Sequence, residues 1–152
     1  MGAEARIKEL KLELPAPPKP VATYIPAVQI GNLLFVSGHG PLKSDGTMIA
    51  GRVGADMTLE QGKAAARQVG LAILSTVRNT LGNLDRVLRL VKVLGMVNAT
   101  PDFKEHPQVV NGFSDLMVEV FGDSGKGARS AVGMGSLPGN IAVEVEAIFE
   151  VH

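Results

Sequence analysis

The spacing of apolar positions changes from segment to segment along the chain, and each change marks an element. Between Ala3 and Leu12, Ile7, Leu10 and Leu12 stand among charges, the pattern of a short amphipathic helix. Leu14 to Pro20 then sets four prolines in seven residues. That density forbids regular hydrogen bonding and predicts an extended arm, packed on a sheet edge or a neighbouring surface so that the apolar residues flanking it are buried. Tyr24 to Ile30 and Leu33 to Ser37 read as two strands joined by the turn pair Gly31-Asn32, a hairpin. Gly38 to Asp56 is rich in glycine and turn residues and predicts a long surface loop with little structure of its own. Loops of that length inside compact domains are usually functional.

Thr58 to Leu81 is the clearest helix. Thr58 and Gln61 have capping-box spacing, Leu59, Ala66, Val69, Ile73, Val77 and Leu81 recur near one face, and Gly82 suits a left-handed stop. Arg86 to Ala99 is β-branched and mostly apolar, as a covered, central strand would be. Pro107 fits the first turn of a further helix that buries Val110, Phe113, Leu116, Met117 and Val120 and ends at Gly122. Arg129 to Met134 and Ile141 to Val151 close the chain as strands. In the last, Ala142, Glu144 and Glu146 face one way while Val143, Val145, Ala147 and Phe149 face the other. This order predicts an α+β fold with two main helices packed on one face of a mixed sheet, and a strand-helix-strand unit that occurs twice. Residues 1–20 form a helix and a proline-rich arm ahead of a single domain over 21–152.

Composition narrows the function. Fifteen basic residues balance fifteen acidic ones, and one Tyr, five Phe and no Trp leave few platforms for stacking bases, so no nucleic-acid partner is expected. The absence of cysteine removes thiolate nucleophiles and Cys-based zinc sites. His106 and His152 lack ligand spacing, and the glycine-rich loop lacks the Gly-Lys-Ser/Thr of a phosphate cradle; neither a metal nor a cofactor is expected. No apolar stretch reaches membrane-spanning length and no signal-peptide pattern opens the chain, so the default expectation is a cytoplasmic protein.

The remaining candidates for chemistry are charged residues on strands. Arg129, at a strand entry, could aim its planar fork at a carboxylate; it could equally be a solvated edge residue or the partner of an internal glutamate. Glu144 and Glu146 are same-face neighbours whose repulsion could raise one pKa, or they could simply form a solvated face. His39, within Ser37-Gly38-His39-Gly40-Pro41, is either a general acid or base or an ordinary loop histidine.

Taken together the segments resemble the Rid family, also called YjgF-type proteins and labelled "endoribonuclease L-PSP" in older usage. The carriers are Tyr24 with Gly31-Asn32-Leu33-Leu34-Phe35-Val36-Ser37-Gly38, then Asp85-Arg86-Val87, Asn111, Ala128-Arg129-Ser130, Leu137-Pro138 and Val143-Glu144-Val145-Glu146-Ala147-Ile148. The resemblance implies a chorismate-mutase-like fold, a homotrimer with clefts between subunits, and hydrolysis of imines or enamines to 2-oxo acids and ammonia. It implies that Arg129 grips the substrate carboxylate and Glu144 places or activates water. It further implies that Tyr24, Ser37, Gly38, His39, Asn111 and Ala131 line or support the cleft, with the backbone at Ala131 holding the imine nitrogen. Such chemistry needs a held carboxylate and a positioned water rather than a metal.

Three departures stand out. Ala131 replaces a common cysteine, His39 stands where glutamine is frequent, and the Asp102 to Asn111 connection is long. With the proline arm and the Gly38 to Asp56 loop, they mark a larger subgroup. The competing reading is a non-catalytic pocket for a small carboxylate such as a 2-oxo acid, although a second negative charge at Glu144 would gain it nothing. Ribonuclease action is disfavoured by the neutral charge and by the lack of a His pair for phosphodiester acid-base catalysis.

Overall fold

A computed structural model describes residues 1–20 and 22–152, so the expected boundary at residue 21 lies outside the described residues. The elements in chain order are α1 (Ala3–Glu9), β1 (Ala27–Ile30), β2 (Leu33–His39), α2 (Leu59–Leu81), β3 (Val87–Asn98), α3 (His106–Phe121), β4 (Ala128–Met134) and β5 (Val143–Val151), with 3-10 turns at Leu84–Arg86, Gly122–Gly125 and Pro138–Asn140. The sheet order is β1-β2-β5-β3-β4. Only β3 and β4 pair in parallel; the other neighbours are antiparallel. The architecture is therefore the expected mixed sheet of an α+β, chorismate-mutase-like fold. Two strand-helix-strand units are present, β2-α2-β3 straddling β5 and β3-α3-β4 between neighbours.

Helix α2 starts where the capping box predicts. The Thr58 hydroxyl accepts from the Gln61 N–H at 3.1 Å and the Gln61 side chain accepts from the Thr58 N–H at 2.9 Å, a cap worth about 1 kcal/mol. The helix stops at Gly82, whose φ of +84° suits a residue without a Cβ. Val69, Ile73 and Val77 from α2 and Val110, Phe113, Leu116 and Met117 from α3 are fully buried with Leu34, Val93, Val145 and Phe149 of the sheet. Each such side chain contributes roughly 1.5–3 kcal/mol through area removed from water. Both helices lie on one face of the sheet, and Ala3 and Ile7 of α1 join the same core.

The structure corrects several local expectations. Strand β1 begins at Ala27 rather than Tyr24, because Pro26 has no N–H to donate and serves as an acceptor for Ser37. Of the two surfaces expected for the arm, it takes a neighbouring one, α2, rather than a sheet edge: the buried Ser75 hydroxyl donates to Pro15 O at 2.5 Å. The Gly38 to Asp56 segment is more ordered than its composition suggests. Its first two residues extend β2, Leu42 bridges Met48, Ala50 bridges Ile141 and Val53 bridges Ala99. Strand β3 is interior, but the middle position belongs to β5. Ala142 precedes β5 and is fully buried, its N–H donating to Ile49 O, and so does not share the carboxylate face.

Candidate active site

Five of the expected site residues meet in one place. Tyr24, Ser37, Gly38, His39 and Glu144 line a cavity of about 680 Å³ at the end of the sheet where β2 finishes and β5 begins. A bulge in β2 shapes it. Val36 pairs with Ala147 and His39 with Val145, so β2 spends one residue more than its partner. The extra residue turns both Val36 and His39 toward the helices and leaves Ser37 and Gly38 beside Glu144. Gly38 fits there because it lacks a side chain; a Cβ would collide with the Glu144 carboxylate.

Glu144 is, among the described residues, the only acid lining the cavity. Among the described residues nothing donates a hydrogen bond to its carboxylate and no cation lies within ion-pair distance, and its oxygens remain open to the cavity. Burial pushes its pKa up, and repulsion from Glu146 on the same face pushes it further. A carboxylate in that state is a stronger base than an exposed one and has lone pairs free for water.

His39 is placed differently from the sequence expectation. It is buried, its Nδ1–H donates to Ser37 O at 2.6 Å, and its Nε2 accepts from the Thr76 hydroxyl at 2.7 Å. A carbonyl oxygen only accepts, which fixes the tautomer, and burial lowers the ring pKa and keeps it neutral. Both nitrogens are thus committed inside the protein. His39 ties the β2 bulge to α2 and has no ring nitrogen left for substrate. Ser37 donates its hydroxyl to Ile25 O at 2.6 Å, which braces the segment carrying the half-exposed Tyr24.

Arg129, Asn111 and Ala131 are elsewhere. Arg129 Nη1 donates to Asn111 Oδ1 at 2.8 Å and to Ser114 Oγ at 3.2 Å, and Nη2 lies 3.5 Å from Pro107 O. Asn111 and Ser114 are three residues apart on α3 and so share the face turned toward β4. All these acceptors are neutral, and among the described residues no carboxylate pairs with this guanidinium. The reading of Arg129 as partner of an internal glutamate does not hold. The guanidinium is oriented, charged and open to an anion. Ala131 sits on β4, whose outer edge has no neighbouring strand, so its alternate backbone groups face outward.

One chain does not bring the two groups together. Arg129 is in register with Val93 and, through it, with Ala147, all turned toward the helices. Glu144 is in register with Met96, and Met96 with Val132, on the open face. Two strand spacings and three residues of rise put the Arg129 and Glu144 Cα atoms roughly 14 Å apart, on opposite faces. No small imine bridges that gap within one copy.

Sequence reasoning missed Ser114, which the i, i+3 spacing from Asn111 could have revealed. It also missed the apolar walls of the cavity, formed by Pro18, Pro20, Leu42, Met48 and Ile141. No local signal marks those, because they converge from the arm, the long loop and the β4-β5 connection. Among the described residues no three His, Asp or Glu side chains cluster as metal ligands, and no helix is long and apolar enough to cross a membrane.

The comparisons with known proteins agree with this architecture. Residues 4–150 match the family described as "YjgF/chorismate_mutase-like, putative endoribonuclease". Protein TCP17 of Trypanosoma cruzi is 42% identical over 149 residues, covering 97% of this chain and 93% of that protein. The crystal structure of Atu1372 from Agrobacterium tumefaciens, a protein described as of unknown function, superposes with a TM-score of 0.90 at 41% identity, covering 99% of this chain and 94% of the other. A mite protein from Dermatophagoides farinae named 2-iminobutanoate/2-iminopropanoate deaminase is 29% identical, with 93% of this chain and 95% of that protein aligned. With the Gly-Asn hairpin, the Ala-Arg-Ser strand and the paired glutamates in their places along the same fold, the chain belongs to the YjgF, or Rid, family.

Proposed function

We propose that the protein hydrolyses imines and enamines of amino acids to 2-oxo acids and ammonia, at sites formed between copies of the chain. The observation that carries this reading is the half-buried Glu144 carboxylate, unpaired and the only acid among the described residues that line the cavity. A pocket that only bound carboxylates would be weakened by it. In the proposed reaction Arg129 of one copy holds the substrate carboxylate through its planar fork, oriented beforehand by Asn111 and Ser114. Glu144 of another copy takes a proton from water as the water oxygen adds to the imine carbon. That proton passes to nitrogen to give the tetrahedral carbinolamine, and Glu144 then moves the remaining hydroxyl proton to nitrogen as the C–N bond breaks, so that imine plus water gives 2-oxo acid plus ammonia. The backbone of edge strand β4 around Ala131 supplies an acceptor for the imine N–H.

Assembly is favoured by the open face of the sheet, where Val28, Phe35 and Val132 are each about two-fifths exposed and are joined by Leu94, Met96 and Ile148. Register places Val28, Phe35 and Ile148 in one row across β1, β2 and β5. An apolar row of this kind is an interface rather than a solvent surface. A homotrimer closes the arrangement with each copy offering one half-site to either neighbour. The test is to generate imino acids with an amino-acid oxidase and follow release of ammonia and 2-oxo acid, with light scattering for the oligomer. Acceleration over spontaneous hydrolysis by a trimer is expected. No acceleration by a well-folded protein would sink the deaminase reading, and a stable monomer at micromolar concentration would sink the shared site.

A further inference from the structure

The cavity beside Glu144 is far larger than the smallest imino acids require, and its excess space is apolar. The imine derived from alanine has only six non-hydrogen atoms, few for the 680 Å³ present.

One stripe of α2 builds the remaining volume. Gln68, Ala72 and Ser75 follow i, i+4, i+7 spacing and so lie along one side of the helix. Gln68 Nε2 donates to Leu42 O at 2.6 Å and clamps a small hairpin, which is closed by Lys43 N–H to Thr47 O at 2.8 Å and Ile49 N–H to Pro41 O at 3.2 Å. Ser75 Oγ donates to Pro15 O at 2.5 Å and clamps the proline arm. Ala72, between the two clamps, is fully buried and contributes only a methyl group beneath the chamber. The walls are Leu42 and Met48 from the hairpin, Ile141, and Pro18 and Pro20 from the arm.

Two glycines fix how this chamber lies relative to the acid. A Cβ at Gly38 would strike the Glu144 carboxylate, while one at Gly40 would lie 3.0 Å from both Ile141 Cδ1 and Met48 Sδ. Gly40 lies two residues beyond Gly38, which at strand-like rise sets the apolar wall roughly 7 Å from Glu144 and leaves room for a branched or aromatic side chain between them. Met48 is 42% exposed, with apolar surface still to be covered by an occupant.

We infer that this chamber selects imino acids with bulky apolar side chains over those derived from alanine, a conclusion about substrate class that rests on the deaminase reading above. The reacting carbon sits at Glu144 and the side chain runs over Gly40 onto Met48 and Ile141, between hairpin and arm. Pro18, Pro20, Leu42, Met48 and Ile141 outnumber Lys19 in the lining, so apolar side chains are the matching class.

Binding of the product-like 2-oxo acids tests the chamber without turnover. By calorimetry on the intact protein, 4-methyl-2-oxopentanoate and phenylpyruvate should bind at least tenfold more tightly than pyruvate. The ratio of kcat/KM for leucine-derived over alanine-derived imines should favour leucine to a similar degree. Met48→Asp, at a half-exposed position that tolerates a charge, should lower both ratios about tenfold. Equal affinities, no binding of any of the three acids, or ratios untouched in a folded Met48→Asp variant would overturn the inference. Preferential binding of the large acids without hydrolysis of any imine would leave the chamber standing and remove the deaminase reading.

Discussion

Glu144 and Arg129 occupy contrasting regions of the same sheet. The Glu144 region is built by subtraction: a bulge, a missing Cβ at Gly38 and apolar walls leave a carboxylate with no donor among the described residues. The Arg129 region is built by addition, as α3 supplies three neutral acceptors that aim the guanidinium on an edge strand. The contrast follows from what each charge has to do. A base works better when desolvation raises its pKa, whereas a carboxylate grip works better when a permanently charged fork is oriented in advance. Each region leaves one unpaired charge, and the two are opposite in sign.

Removing the base should have the largest effect. Glu144→Gln keeps the shape and should lower imine hydrolysis by about a hundredfold or more, the usual range for a general base, while 2-oxo acids still bind. Wild-type activity should rise with pH as the carboxylate ionises, at a pH above that of an exposed glutamate. The stability change has the opposite sign. A raised folded pKa means that the native state holds its proton longer, so wild type should lose stability relative to Glu144→Gln as pH rises from the ordinary glutamate pKa through the raised one. Parallel stability curves in denaturant series from pH 4 to 7 would contradict the desolvated state of Glu144.

Gly38→Ala separates geometry from chemistry. The new methyl meets the far end of a flexible side chain, so stability should change by less than about 1 kcal/mol in urea unfolding. The displaced carboxylate should cost on the order of tenfold to a hundredfold in kcat. Unchanged turnover would show that Glu144 does not need its present position.

Arg129→Lys keeps the charge and loses the fork, and should raise KM roughly tenfold in steady-state assays. Mixing this variant with Glu144→Gln in a refolded assembly should recover part of the wild-type activity, because some interfaces then pair two intact halves. No recovery would break the comparison by showing that the two groups do not serve one shared site.

The smallest expected effect concerns His39. Its lowered folded pKa makes the native state the weaker proton binder, so the stability it contributes is present above the ordinary histidine pKa and lost as pH falls below it. His39→Gln, which can preserve a donor and an acceptor, should flatten the stability profile between about pH 5 and 7. A profile unchanged by the substitution would mean that the ring is not held neutral.

Helix α2, helix α3 and the strand pattern were determined by sequence, since caps and apolar periodicities are local properties that each segment carries with it. The family was legible as well, through the order of the Gly-Asn, Ala-Arg-Ser and paired-glutamate segments. Tertiary structure decided the rest. That Glu144 and Arg129 fall on opposite faces depends on strand order and register, which no single segment encodes. That His39 turns inward depends on one extra residue in β2 relative to its partner. The chamber exists only where an arm, a hairpin and one stripe of α2 converge, through contacts up to 60 residues apart in sequence. Their volumes and hydrogen bonds are set by packing, and packing is a property of the folded chain as a whole.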